Sequence, residues 1–106
     1  GVCKEKLFEV KQMAEVDIFC LGLNDLSGSM GKLGQINDAE VVSAVNRVTK
    51  TVTAAGRTMG ISTFYSEETF ARWIELGITW LNLNVDFATL FAASRQILSE
   101  ARGRVP

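Results

Sequence analysis

Hydrophobic positions along the chain switch repeatedly between helical and alternating spacing. Leu7, Val10 and Met13-Ala14 recur every three or four residues among charged neighbours, which predicts an amphipathic helix over residues 4–14. The apolar run Ile18-Phe19-Cys20-Leu21 predicts a strand over 17–23, followed by a loop of small residues. Asn37, with Glu40 three positions later, has the form of a capping box. Behind it Val41, Val45, Val48 and Val52 make one apolar stripe of a helix that ends near Gly56. Met59, Ile61 and Thr63 alternate within a strand predicted over 58–64. Ser66 caps a short helix over 67–76 that carries Phe70, Trp73 and Ile74 and stops at Gly77. A last strand is predicted over 78–85, with Leu81 and Leu83 toward the helices and Asn82 and Asn84 on the other side. Asp86 then caps a final helix bearing Phe87, Leu90, Phe91, Ser94, Ile97, Leu98 and Ala101.

Strands alternating with helices imply an α/β fold with a parallel sheet and right-handed crossovers. Three such strands leave both sheet edges open, so pairing with more chain or with another copy is expected. Residues 1–106 form one domain, without linker, low-complexity segment or internal repeat. A length of 106 residues and 47% hydrophobic content suffice for one soluble core. They do not suffice for a closed (β/α)8 barrel, which takes about 250 residues.

Charge and composition narrow the function. The formal net charge of −1, with both signs interspersed and no basic stripe, argues against nucleic acid as a partner. No apolar run approaches the roughly 20 residues of a membrane span, and the charged start is unlike a signal peptide, so a cytoplasmic location is expected. Cys3 and Cys20 are far apart, the second within an apolar strand, and are read as buried small hydrophobes rather than a redox or zinc pair. The chain has no histidine. Any acid-base step within it falls to Asp, Glu, Lys, Tyr65 or water.

The densest chemistry is Gly22-Leu23-Asn24-Asp25-Leu26-Ser27-Gly28-Ser29-Met30-Gly31, at the end of the first strand. A carboxylate where a parallel strand opens into a turn is placed as a metal ligand is in an α/β barrel. On residue type alone, Asn24-Asp25-Leu26-Ser27 reads equally as turn chemistry. Gly28, Gly31 and Gly34 match neither a dinucleotide fingerprint nor a P-loop. Ser27 and Ser29 are read as bonding the loop backbone. Trp73 and Trp80 are read as packing residues, and Glu9 as solvated surface.

Over this run, with Lys32-Leu33-Gly34 after it, the sequence resembles the class II, divalent-metal-dependent 2-oxo-acid aldolases. Their loop reads Gly-Pro-(Asn/Ala)-Asp-Leu-Ser-x-(Ser/Asp)-Met-Gly. The resemblance continues through Ala54-Ala55-Gly56, Gly60-Ile61, Trp73 to Gly77 and Val85-Asp86 ahead of Leu90. It implies the sixth to eighth strands of a (β/α)8 barrel with their helices, the C-terminal part of an aldolase. It further implies that Asp25 binds Mg²⁺, with Mn²⁺ or Co²⁺ as alternatives, and that the backbones of Asn24 and Asp25 hold the carboxylate of a small 2-oxo acid. Ser62 then lies near the acceptor aldehyde. The reaction implied is cleavage of a 4-hydroxy-2-oxo acid to pyruvate, or a related 2-oxo acid, and an aldehyde, in a homo-oligomer. Leu23 stands where the family has proline, and Asn82 and Asn84 replace small residues and narrow the pocket. The second metal ligand of the family, a glutamate, would fall just ahead of Gly1, and its catalytic histidine and arginine belong to earlier strands. This chain alone is therefore expected to be inactive. The alternatives are a non-catalytic remnant or small α/β interaction module, and a lyase acting on acyl-CoA thioesters.

Overall fold

The computed structural model describes residues 14–106. The helix expected over 4–14, and Glu9 and Cys3 with it, lie outside the described residues except for Ala14, which sits in a turn. Strand β1 spans Ile18–Gly22 and passes directly into helix α1, Leu23–Ser29. There follow α2 (Ala39–Ala54), β2 (Thr58–Thr63), α3 (Glu67–Glu75), β3 (Trp80–Leu83) and α4 (Asp86–Arg104). The sheet is parallel throughout, in the order β1-β2-β3.

Three local expectations are corrected. The small-residue run after β1 is a seven-residue helix, not an open loop. Its last turn is closed by the Met30 N–H, which bonds Leu26 O at 3.2 Å, and by the Gly31 N–H, which bonds Gly28 O at 3.0 Å. Helix α2 is capped by Asp38, whose Oδ1 accepts from the Glu40 N–H at 2.9 Å. Asn37 instead accepts from Arg72 Nη1 at 2.8 Å, tying this loop to α3. Helix α4 begins one residue earlier than expected, with Val85 at the cap position and Asp86 already helical. The cap predicted at Ser66 is present, its Oγ accepting from the Thr69 N–H at 3.3 Å. Gly77 ends α3 at φ +87°, the left-handed stop that glycine permits without a Cβ clash.

Strand alternation sends Met59 and Ile61 to one face, where they are fully buried with Leu23, Val45, Val52, Trp73 and Ile78. Phe19, Leu21, Val48 and Leu81 pack around them. Each such side chain contributes about 1.5–3 kcal/mol of burial, so this layer of α2 and α3 on the sheet is what holds the fold. Trp73 is fully buried, but Ile74 beside it is exposed.

The opposite face carries the in-register residues Ile18 and Thr58, Cys20, Gly60 and Trp80, and Gly22, Ser62 and Asn82. Among the described residues no helix covers it, and Ile18 and Trp80 are each 42% exposed. The burial expected for Cys20 is therefore not found. Its thiol is exposed on this open face, with partial desolvation raising its pKa. Helix α4 has no buried residue despite its apolar spacing, and Phe87, Leu90, Phe91, Ile97 and Leu98 all remain exposed.

Candidate functional site

Because the strands are parallel, their C-terminal ends share one edge, where Gly22 pairs with Ser62 and Ser62 with Asn82. A cleft of about 270 Å³ opens there. Gly22, Asn24 and Asp25 line it from β1 and α1, Ser62, Thr63 and Phe64 from β2, and Asn84 and Val85 from the end of β3. The three residues singled out for metal or substrate, Asn24, Asp25 and Ser62, are thus brought together, although 37 positions separate the last two. Two larger hollows run along α4 and are lined only by that helix.

The entry into α1 explains the placement of Asp25. Leu23 is buried in the core and anchors the first turn. The next two residues then face outward at the strand end, both exposed. The first-turn N–H groups have no partner within the helix. Behind them, the buried Ser27 Oγ donates to Asn24 O at 3.0 Å and accepts from the Gly34 N–H at 3.1 Å. Ser29 Oγ donates to Leu26 O at 2.7 Å. Both serines therefore serve the backbone, as the sequence suggests, and the Ser27 bonds stiffen the segment presenting Asn24 and Asp25.

Ser62 Oγ accepts from Asn82 Nδ2 at 3.3 Å. A hydroxyl that accepts from a neighbour keeps its own hydrogen for a ligand oxygen. Asn82 lies on the open face with Ser62, as the alternation predicts. Asn84 lines the cleft, also as expected, but in a way the sequence does not announce: its φ is 62°, and its Oδ1 accepts from the Tyr65 N–H at 3.1 Å. Phe64 in the cleft wall was not singled out either. The signal for the Asn84 turn is asparagine, the residue type most tolerant of φ > 0 after glycine, at the end of a strand; Phe64 carries no such signal.

Asp25 makes no salt bridge among the described residues, and no cluster of three or more His, Cys, Asp or Glu able to hold a metal occurs among them. The donor chemistry fits a hard divalent cation at one carboxylate arm only. Asp86, the other acidic residue near this edge, bonds the adjacent Phe87 N–H at 2.7 Å and does not line the cleft.

No protein-family model matches the chain. A hydroxypyruvate/pyruvate aldolase of Agrobacterium fabrum is 36% identical over 84 residues, covering 79% of this chain and 31% of that protein. The chain is a homologue of these aldolases. It spans about a third of the length of the curated relatives it matches. A crystal structure of an HpcH/HpaI aldolase/citrate lyase family protein from Burkholderia cenocepacia J2315 matches this aldolase homologue with a TM-score of 0.79 at 31% identity, over 92% of this chain and 38% of that one. The HpcH/HpaI aldolase from Desulfitobacterium hafniense DCB-2 matches with a TM-score of 0.82 over 96% of this chain and 40% of that one; at 20% identity it speaks to the fold alone. The three-stranded parallel sheet with its helices is thus the α/β architecture of part of a barrel aldolase. No helix among the described residues is long and apolar enough to cross a membrane.

Proposed function

We propose that this chain is the C-terminal part of a divalent-metal-dependent aldolase that cleaves 4-hydroxy-2-oxo acids to pyruvate, or a related 2-oxo acid, and an aldehyde. The observation that carries the reading is the convergence of Asp25, Asn24 and Ser62 on one cleft at the C-terminal edge of a parallel sheet. The aldolase names of its homologues support it. Asp25 would be one carboxylate ligand of Mg²⁺ or a similar ion. When bound, that ion supplies Lewis-acid polarisation of the 2-oxo carbonyl. The N–H groups of Asn24 and Asp25 receive the substrate carboxylate. Ser62 donates to an oxygen of the aldehyde portion, and Phe64 walls that side from water.

The 106 residues lack histidine, and among the described residues the cleft carries one carboxylate. The isolated chain is therefore expected to be inactive, and metal-dependent pyruvate release by the purified 106-residue protein would overturn that. The deciding experiment completes the barrel by joining the N-terminal part of a curated relative to this chain and then introduces Asp25→Asn. Asparagine keeps the size and turn-forming ability of aspartate but not its charge. Turnover and metal affinity should be lost with an unchanged circular dichroism spectrum. Retained turnover at saturating Mg²⁺ would sink the metal assignment.

The exposed apolar residues of α4 and the uncovered sheet face favour a second reading, a non-catalytic α/β module that pairs with other chains. On either reading we expect a cytoplasmic protein that self-associates. Sedimentation showing a stable monomer with cooperative unfolding would count against assembly.

A further inference from the structure

Asn84, directly after β3, has a conformation that no other non-glycine residue among those described adopts, with φ at 62°. Left-handed backbone is costly for most L-residues and least so for asparagine and aspartate, whose short polar side chains can bond locally. Here the turn directs two groups of Asn84 back onto the neighbouring strand end. Its backbone N–H donates to Thr63 O at 3.0 Å, and its side-chain Oδ1 accepts from the Tyr65 N–H at 3.1 Å.

These two bonds bracket Phe64. That residue lies in the connection between β2 and α3, belongs to no regular element, and lines the cleft together with Asp25. On its far side the Tyr65 ring packs on Phe70 of α3, with centroids 5.7 Å apart, so the tyrosine is drawn away from the cleft while Phe64 stays in its wall. An unsupported link of three residues would sample many conformations. The bonds at Thr63 O and at the Tyr65 N–H tether the chain on both sides of Phe64.

We propose that Asn84 is a positioning residue, a latch across the ends of β2 and β3 that fixes Phe64 as a wall of the Asp25 cleft and so limits the bulk of the substrate group bound there. The role in substrate binding rests on reading this cleft as the 2-oxo-acid site; the latch itself does not. Asn84→Gly keeps the left-handed backbone and the bond to Thr63 O but removes the acceptor. Asn84→Asp keeps both.

In the 106-residue chain, amide hydrogen exchange at Tyr65 should accelerate about tenfold in Asn84→Gly, the loss of one hydrogen bond, and return close to the parent rate in Asn84→Asp. Equal rates in Asn84→Gly and the parent would overturn the latch. In the completed barrel, run in the condensation direction, Asn84→Gly should raise KM for the aldehyde several-fold with a smaller change in kcat. Faster exchange with an unmoved KM would overturn the positioning role and leave the bond purely structural. If the completed barrel shows no turnover, or if its Asp25→Asn variant turns over as fast as the parent, the reading of the site fails, and the Tyr65 exchange rates decide the latch alone.

Discussion

The Asp25 carboxylate lies against the backbone of Gly22, so that a Cβ at position 22 would stand 2.8 Å from Oδ2. Gly22 has an ordinary extended conformation, φ −81° and ψ 112°, and its backbone would accept any residue. Glycine is needed there for proximity alone. The atom in the way is the tip of an exposed side chain that can swing aside. Gly22→Ala should therefore change unfolding stability by less than about 1 kcal/mol, and the loss of glycine entropy in the unfolded chain favours the variant. The carboxylate, however, must leave its place at the strand end. Thermal unfolding and Mg²⁺ titration of the completed barrel, measured together, should show near-parental melting with weakened metal affinity. A drop of many degrees in Tm would mean that Asp25 cannot move.

Gly60 faces a different neighbour. A Cβ there would meet Trp80 Cε3 at 2.8 Å and the Trp80 carbonyl oxygen at 3.3 Å, and the second of these belongs to the adjacent strand and cannot swing away. Gly60→Ala should destabilise by about 1–3 kcal/mol, the usual cost of overpacking. Trp80→Leu should recover part of that loss, giving a non-additive double-mutant cycle in chemical denaturation. Strict additivity would remove the contact from the account.

Much of this architecture was readable in advance, for reasons that differ by element. The Val41, Val45 and Val52 stripe worked because burial against a sheet is what a 3.6-residue apolar period encodes, and all three are fully buried. The same spacing in α4 encodes a helix that wants a partner without saying where the partner is, and that helix has no buried residue. Alternation in β2 marks a strand with Met59 and Ile61 on one face, and that face is the one fully buried. It could not reveal that Cys20 sits on a face which no described helix covers. The cap at α2 lies one residue beyond the one the sequence favours because Asn37 and Asp38 are both good caps; what separates them is tertiary, the bond from Arg72 to Asn37 across 35 positions. At the cleft, Asn24, Asp25 and Ser62 could be named from residue type and resemblance, and all three line it. The Asn84 bond to Tyr65 could not, since it depends on a backbone turn with no marker beyond the asparagine itself.

The last prediction concerns pH. Lys32 Nζ lies 2.7 Å from Asp38 Oδ1 and 3.3 Å from Glu40 Oε2, joining the segment after α1 to the cap of α2. The hydrogen bond from Lys32 holds the Asp38 carboxyl below its ordinary 3.8, with the Glu40 N–H helping. The bond to Asp38 likewise raises Lys32 above its ordinary 10.5. A carboxyl whose pKa is lower folded than unfolded contributes stability that is present above its unfolded pKa and lost as pH falls through the folded one. For Asp38 that loss lies below about pH 4. For the lysine the contribution is complete below 10.5 and disappears as pH rises through its raised pKa. Asp38→Asn keeps an N-cap side chain but removes the charge. Its melting temperature should fall below the parent's at neutral pH, and the two curves should converge in acid once Asp38 of the parent is protonated. Lys32→Met should show the matching convergence on the alkaline side. Added salt should shrink both differences, since both side chains of the pair are a quarter exposed. Thermal unfolding followed by circular dichroism from pH 2 to pH 7 decides the acid arm, and an offset that stays constant down to pH 2 would show that the pair contributes no linkage.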